Sequence, residues 1–222
     1  MDSKTSATAG MTGWEAFGGA LFRARGVTPL ALVLLIFLWP TPAGLPLSVL
    51  AASLAFIGAG EAIRIHAVGY AGKRTRTRGT KVKELVTAGP FARVRNPLYI
   101  GNFALALGLI MLSRVEWLIA VFPVLFFLQY AAIVAWEERI LTNQFGDDYR
   151  DYVSRVPRWL PRTIPAEPES SHTFSGRVAW ESEQDSLRAL VVIFAVLVLK
   201  HLVWSSAFAW PARQLIGMFS GS

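Results

Sequence analysis

The chain has 222 residues and a mass of 24.4 kDa; 53% of it is hydrophobic, 17% is charged, and the mean hydropathy is +0.42. A chain this apolar cannot stay solvated, which excludes disorder over most of its length and argues against an ordinary soluble domain. It contains no cysteine, which rules out disulfides, thiolate nucleophiles and cysteine-ligated metals. His66, His172 and His201 are too few and too scattered for a histidine metal site, so no metal is expected. The net charge of +7 reads as basic loops on one face of a membrane rather than as a nucleic-acid surface.

In chain order, 1–26 reads as an N-terminal cytoplasmic or interfacial segment. Its first thirteen residues are polar and lack the apolar core of a cleavable signal peptide. A helix needs about 20 apolar residues to cross a bilayer. The first candidate span is 27–39, extended upstream by Ala20-Leu21-Phe22 across Arg23 and Arg25. The second is 45–63, joined to the first through the turn Pro40-Thr41-Pro42-Ala43-Gly44. The third is 98–112 and the fourth 115–136, broken only by Glu116, Pro123 and Gln129. A polar linker is expected over 163–186, then a fifth span at 187–204 with Asp185 and Ser186 as candidate caps, and an amphipathic tail to 222. The expected architecture is therefore an all-α, polytopic integral membrane protein of about five transmembrane helices, with its core at 27–162.

Charge orients these spans. The second-to-third loop runs from Arg64 to Arg95 through Lys73, Arg74, Arg76, Arg78, Lys81, Lys83 and Arg93. The fourth-to-fifth loop holds Arg139, Arg150, Arg155, Arg158, Arg162 and Arg177, whereas the opposite loops hold only Arg114. Both long loops should therefore be cytoplasmic, with the N-terminus inside and the C-terminus outside.

Two stretches of these loops carry chemistry. In the first, Gly89-Pro90 marks a turn, and Asn96-Pro97 predicts an extended residue followed by a helix start. The helix N-terminus, Arg93, Arg95 and the Tyr99 ring then face the cytoplasm, and Gly101 permits close approach of a helix or a ligand. Arg74, Arg76 and Arg78 read instead as side chains reaching to lipid phosphate. In the second, Glu137 and Glu138 follow the fourth span directly, where an ionisable pair is costly and functional by default. Neighbours on a helix point about 100° apart, so one glutamate should face a ligand and the other an arginine such as Arg95 or Arg139. Leu141, Phe145, Tyr149, Tyr152 and Val153 recur at helical spacing, interrupted at Gly146. The run closes on Val156-Pro157-Arg158-Trp159-Leu160-Pro161.

Together these stretches resemble the isoprenylcysteine carboxyl methyltransferase family and its relatives among phospholipid methyltransferases. The carrying residues are Leu85-Val86-Thr87-Ala88-Gly89-Pro90-Phe91 with Arg95-Asn96-Pro97-Leu98-Tyr99-Ile100-Gly101, and Glu137-Glu138, Leu141, Phe145-Gly146, Tyr149, Tyr152 and Val156-Pro157. The resemblance covers about 45–162. It implies an integral membrane enzyme that uses S-adenosylmethionine on the cytoplasmic side and methylates a lipid-like or amphiphilic acceptor at oxygen or nitrogen. Carried over residue by residue, the cofactor shell is Leu85, Val86, Gly89, Phe91, Arg95, Asn96, Pro97, Leu98, Tyr99, Glu137 and Glu138, with Glu138 and Arg95 as catalytic candidates.

Asn96 stands where the family has histidine, and an amide hydrogen-bonds without titrating. Phe91 stands for tyrosine. One turn before the glutamates, Ile133 and Val134 stand where the carboxyl methyltransferases carry an arginine, which argues against a carboxylate acceptor. Transfer from a sulfonium needs alignment and exclusion of water, which can be worth about 7–11 kcal/mol, and an ammonium acceptor needs a base such as Glu138. Two other readings stay open: a sterol-reductase-like enzyme using NADPH, and a non-catalytic membrane scaffold or transporter. The absent signal sequence fits a bacterial inner membrane.

Overall fold

The computed structural model describes residues 11–42, 44–72, 84–167 and 172–219, with side chains up to 201. The basic run from Lys73 to Lys83, including Arg74, Arg76 and Arg78, lies outside the described residues, as do the side chains of the C-terminal tail. Among the described residues there are seven α-helices, one 3₁₀ turn and no strand. They are α1 (Gly13–Arg23), α2 (Val27–Leu38), α3 (Leu47–Ala71), the 3₁₀ turn Gly89–Ala92, α4 (Pro97–Ser113), α5 (Glu116–Phe145), α6 (Asp147–Arg155) and α7 (Gly176–Phe219).

Two of them, α3 with 25 residues and α5 with 30, are long and apolar enough to cross a membrane. The expected first span is two helices, α1 and α2, bent by 64°; only together do they reach spanning length. A capping box of Thr12 and Glu15 starts α1. The chain breaks after Arg23, where Arg25 turns back to lie 4.0 Å over the Phe22 ring. At 17 residues, α4 is apolar but short. Among the described residues two spans, or three with the bent pair, meet that length and composition. The run 187–204 lies inside α7, which starts earlier than its composition suggests. Ser175 accepts from the backbone N–H groups of Val178 and Ala179, so the helix begins at Gly176 within the stretch expected as linker. Asp185 and Ser186 are therefore mid-helix rather than caps: Asp185 pairs with Arg188 on the surface, and Ser186 turns inward to Arg64.

Small residues set the spacing of the bundle. A Cβ on Gly60 would lie 2.6 Å from the Leu105 backbone nitrogen, and one on Gly108 would lie 2.8 Å from the Ser53 carbonyl oxygen. Such close approach of α3 and α4 suits apolar surroundings, where packing rather than hydrophobic exclusion joins helices. Gly101 belongs to the same seam, facing Gly60 and Arg64, so its small size serves a helix and not a ligand. Ile36, Ile57, Leu109, Ile110, Leu112 and Leu197 form the apolar core where α2, α3, α4 and α7 meet.

The four connections separate by end. Residues 84–96, 146–167 and 172–175 lie at one end; the α2–α3 turn and the α4–α5 link share the other, where Arg114 donates to the Gly44 carbonyl. There α7 anchors two helix C-termini. Lys200 Nζ donates to the carbonyls of Ile36 and Trp39 at 2.6 and 2.7 Å, and His201 Nε2 meets the Leu112 carbonyl at 2.7 Å.

Gly60→Ala should lower the thermal unfolding midpoint in detergent, by a destabilisation of about 1–3 kcal/mol. Gly58→Ala, where a Cβ meets nothing within 4 Å, should leave the midpoint unchanged; equal effects would refute the seam.

Candidate active site

Pro97 opens α4 with Asn96 just before it. Proline costs nothing there, because the N–H it lacks has no intrahelical partner. Tyr99 is consequently on the first turn and reaches α5: its Oη donates to Glu137 Oε1 at 2.9 Å. Its ring lies 4.4 Å from that of Tyr130. The neighbouring Glu138 points elsewhere, as the 100° step requires. Its Oε1 accepts from Arg158 Nε at 3.0 Å and lies 3.2 Å from Arg95 Nη2, while Oε2 accepts from Arg158 Nη2 at 2.5 Å. Paired donors in a fixed fork are the strongest way to hold a carboxylate.

The loop residues reach this pair through backbone pairing. Segment 157–166 runs alongside 92–96: the N–H of Arg95 donates to the Pro157 carbonyl, that of Arg162 to Arg93, and that of Ala166 to Ala92, all at 2.8–2.9 Å. The Asn96 side chain donates to the Arg158 carbonyl at 3.1 Å. Below them Tyr149, Tyr152 and Val156 are buried against Leu85, Leu141 and Phe145, and Tyr152 Oη donates to the Phe91 carbonyl at 2.9 Å. Gly89 has φ +62°, and the Tyr70 ring lies 2.5 Å from where its Cβ would be, so the turn admits only glycine. Val86 and Leu98 are half-buried on the same two segments, and Pro97 is buried.

The structure thus gathers Leu85, Gly89, Phe91, Arg95, Asn96, Tyr99, Glu137 and Glu138 at one end of the bundle. Arg95, one of the two arginines expected, pairs with Glu138. Arg158 was not singled out by its residue type, yet Pro157 pins it and Glu138 needs a second cation. The contribution of α1 also escapes sequence patterning. Gly18 and Gly19 let α1 press on Ala132 and Trp136, and Phe22 packs on Trp136 at 4.7 Å between centroids. Ile133 and Val134 are wholly buried apolar residues, so no cation stands one turn before the glutamates.

A ligand test is available at Arg95. Its side chain is only 10% exposed, and its Nε and Nη1 are buried with no hydrogen-bond partner among the described residues. A buried guanidinium with idle donors is costly unless something accepts from it. An acceptor-rich molecule such as S-adenosylmethionine fits that demand.

Residues 47–148 match the family described as Phospholipid methyltransferase. The match takes in a little under half of the chain, which is similar there to the phospholipid methyltransferase family. It contains α3, α4, α5 and the 84–96 loop. The chain is 32% identical over 133 residues to the nickel-cobalt-cadmium resistance protein NccN of Alcaligenes xylosoxydans xylosoxydans, covering 59% of this chain and 62% of that protein. It is 33% identical over 135 residues to the cobalt-zinc-cadmium resistance protein CzcN of Cupriavidus metallidurans, covering 61% and 57%. Against the protein-S-isoprenylcysteine O-methyltransferase of Schizosaccharomyces pombe it is 32% identical over 113 residues, covering 49% and 48%. The matches therefore span about half to three fifths of these relatives' lengths. No solved structure matches the chain.

The tyrosine floor of the loop has a pH signature. Burial pushes the Tyr149 phenol well up, and the Glu138 carboxylate adds to it; burial likewise raises Tyr152, against a smaller opposing effect of Arg95. A folded-state pKa above the unfolded value near 10 stabilises the fold fully below about pH 10, and that stability is lost as pH rises further. The unfolding midpoint should fall above pH 10. Replacing both tyrosines by phenylalanine should flatten that fall; an unchanged decline would refute the assignment.

Proposed function

We propose that the protein is an integral membrane methyltransferase that uses S-adenosylmethionine at the cytoplasmic end of the bundle and methylates a lipid-like or amphiphilic acceptor. The observation that carries this reading is the convergence of two motif blocks: Tyr99 on Glu137, and Arg95 with Arg158 on Glu138. The bound cofactor supplies a methyl group on a sulfonium, open to in-line displacement. Leu85, Val86, Gly89, Phe91, Arg95, Asn96, Pro97, Leu98, Tyr99, Glu137 and Glu138 are the residues assigned to hold it. The idle Arg95 donors suit a carboxylate, and the rings of Tyr99 and Phe91 offer electron-rich faces to a cation.

The two glutamates divide the work. Glu138 has both oxygens held by guanidinium donors, so its task is to fix Arg95 and Arg158. Glu137 accepts one hydrogen bond, from a phenol, and is the better placed to take a proton from an acceptor N–H or O–H. Arg64, the cation nearest the middle of α3, is already engaged by Glu61 and Glu183 at 3.4 and 2.6 Å. That engagement, with apolar Ile133 and Val134, supports a neutral or cationic acceptor over a carboxylate. The basic loops support a cytoplasmic site in a bacterial inner membrane.

Calorimetric titration of detergent-solubilised protein should show binding of S-adenosylmethionine and none of NADPH. Arg95→Met should weaken that binding by about tenfold or more, the equivalent of about 1.4 kcal/mol for a lost charge-assisted bond. Glu137→Gln should bind the cofactor within about threefold of the parent but transfer methyl groups to amine or phenol lipids far more slowly, since it removes a proton acceptor and keeps a hydrogen-bond partner. Full transfer by Glu137→Gln would sink the proton-acceptor role, and NADPH binding in place of S-adenosylmethionine would sink the methyltransferase reading.

A further inference from the structure

α7 lies outside the family segment, yet it sends a wholly buried carboxylate into the bundle. Glu183 is 0% exposed, and its Oε2 accepts from Arg64 Nη2 at 2.6 Å. Arg64 also meets Glu61 on its own helix and Ser186 on α7. Its other terminal nitrogen, Nη1, donates to Asn102 Oδ1 on α4. Asn102 in turn hydrogen-bonds the Tyr130 hydroxyl on α5. From Tyr130 the path is ring to ring, 4.4 Å to Tyr99, whose hydroxyl holds Glu137. The path visits α7, α3, α4 and α5 without a break.

The amide is suited to the middle of this path. Its oxygen accepts from the guanidinium, which leaves its NH₂ as the donor to the phenol. That fixes the direction of the bonds from Arg64 to Tyr130. Partners buried together in this way have two states, fully connected or costly, because a lone guanidinium or carboxylate there is poorly tolerated.

We propose that Glu183 and Arg64 are positioning residues of the site: they set the Asn102 amide, and through it the Tyr130 and Tyr99 rings that hold Glu137. The role in methyl transfer rests on the methyltransferase reading; the mechanical link does not.

The test uses the full chain in detergent with 3-fluorotyrosine in place of its five tyrosines, each ¹⁹F resonance assigned by a phenylalanine substitution. Glu183→Gln should move the Tyr130 and Tyr99 resonances and leave those of Tyr149 and Tyr152 in place. Asn102→Leu cuts the path without leaving a charge alone, and should move the same two if Glu183→Gln does not fold. Lys200→Met loosens α7 at its other end and should move neither. In the same variants S-adenosylmethionine binding should weaken by about fivefold or more for Glu183→Gln and Asn102→Leu, and stay near the parent for Lys200→Met. Unmoved Tyr130 and Tyr99 signals in folded variants overturn the inference. So does a shift of all the signals, or an equal effect of Lys200→Met, since either means general loosening. A parent protein that binds no S-adenosylmethionine overturns the methyltransferase reading alone, because the tyrosine pattern still decides the link.

Discussion

The site depends on one ion-pair node. Glu138 on α5 holds Arg95 from the loop before α4 and Arg158 from the segment after α6. Those three positions are far apart in sequence, and no helix brings them together. Without the carboxylate, two guanidinium groups would face each other in a half-buried space, where like charges repel and neither is fully hydrated. With it, segment 157–166 is drawn along 92–96, and the backbone bonds between them follow. The tyrosines of α6 close the underside. The electrostatic node and the apolar floor are complementary: the first selects which loops meet, and the second keeps water from weakening the selection.

The same node explains why Glu137 is distinct. An α-helix cannot aim two consecutive side chains at one place. Once Glu138 is committed to the arginines, Glu137 must turn to the bundle, towards Tyr99 and the aromatic group of Tyr130 and Phe126. A pair of adjacent acids thereby becomes one structural anchor and one group in a drier setting. Environments that separate two like residues are how acid and base roles are assigned in general.

What could be read from the sequence was what depends on local rules. Asn96-Pro97 starts a helix because proline fixes φ and lacks only an N–H that has no partner, and α4 begins there. The break at Gly146, with φ +55°, is where the apolar repeat is interrupted. The convergence of the two motif blocks was legible only through resemblance. What stayed hidden depends on tertiary partners. The elbow between α1 and α2 is invisible in a hydropathy count, because Arg23 and Arg25 read as interface residues either way. Helix α7 begins within a polar stretch because Glu183 and Ser186 face Arg64, a partner about 120 residues earlier. Composition judged Glu183 as solvated when it is wholly buried.

The charges of α7 then gain an order that hydropathy cannot supply. Glu183 lies near the start of α4, beside Arg64 and Asn102, while His201 and Lys200 lie at the ends of α4 and α2. A helix carries partial positive charge at its N-terminus and partial negative charge at its C-terminus. An acid near the first end of α4 and Lys200 at the last end of α2 are both favourable, and reversing α7 would make both unfavourable. Because α7 and α4 run the same way from the site, their dipoles oppose docking, and the placed charges offset that repulsion. The apolar stripe through Leu190, Phe194 and Leu197 gives α7 affinity for the bundle, but a stripe tolerates sliding by a turn. The acid and the lysine, fixed at opposite ends, do not. Register of the outermost helix is therefore set by electrostatics, and that register is what brings Glu183 level with Arg64.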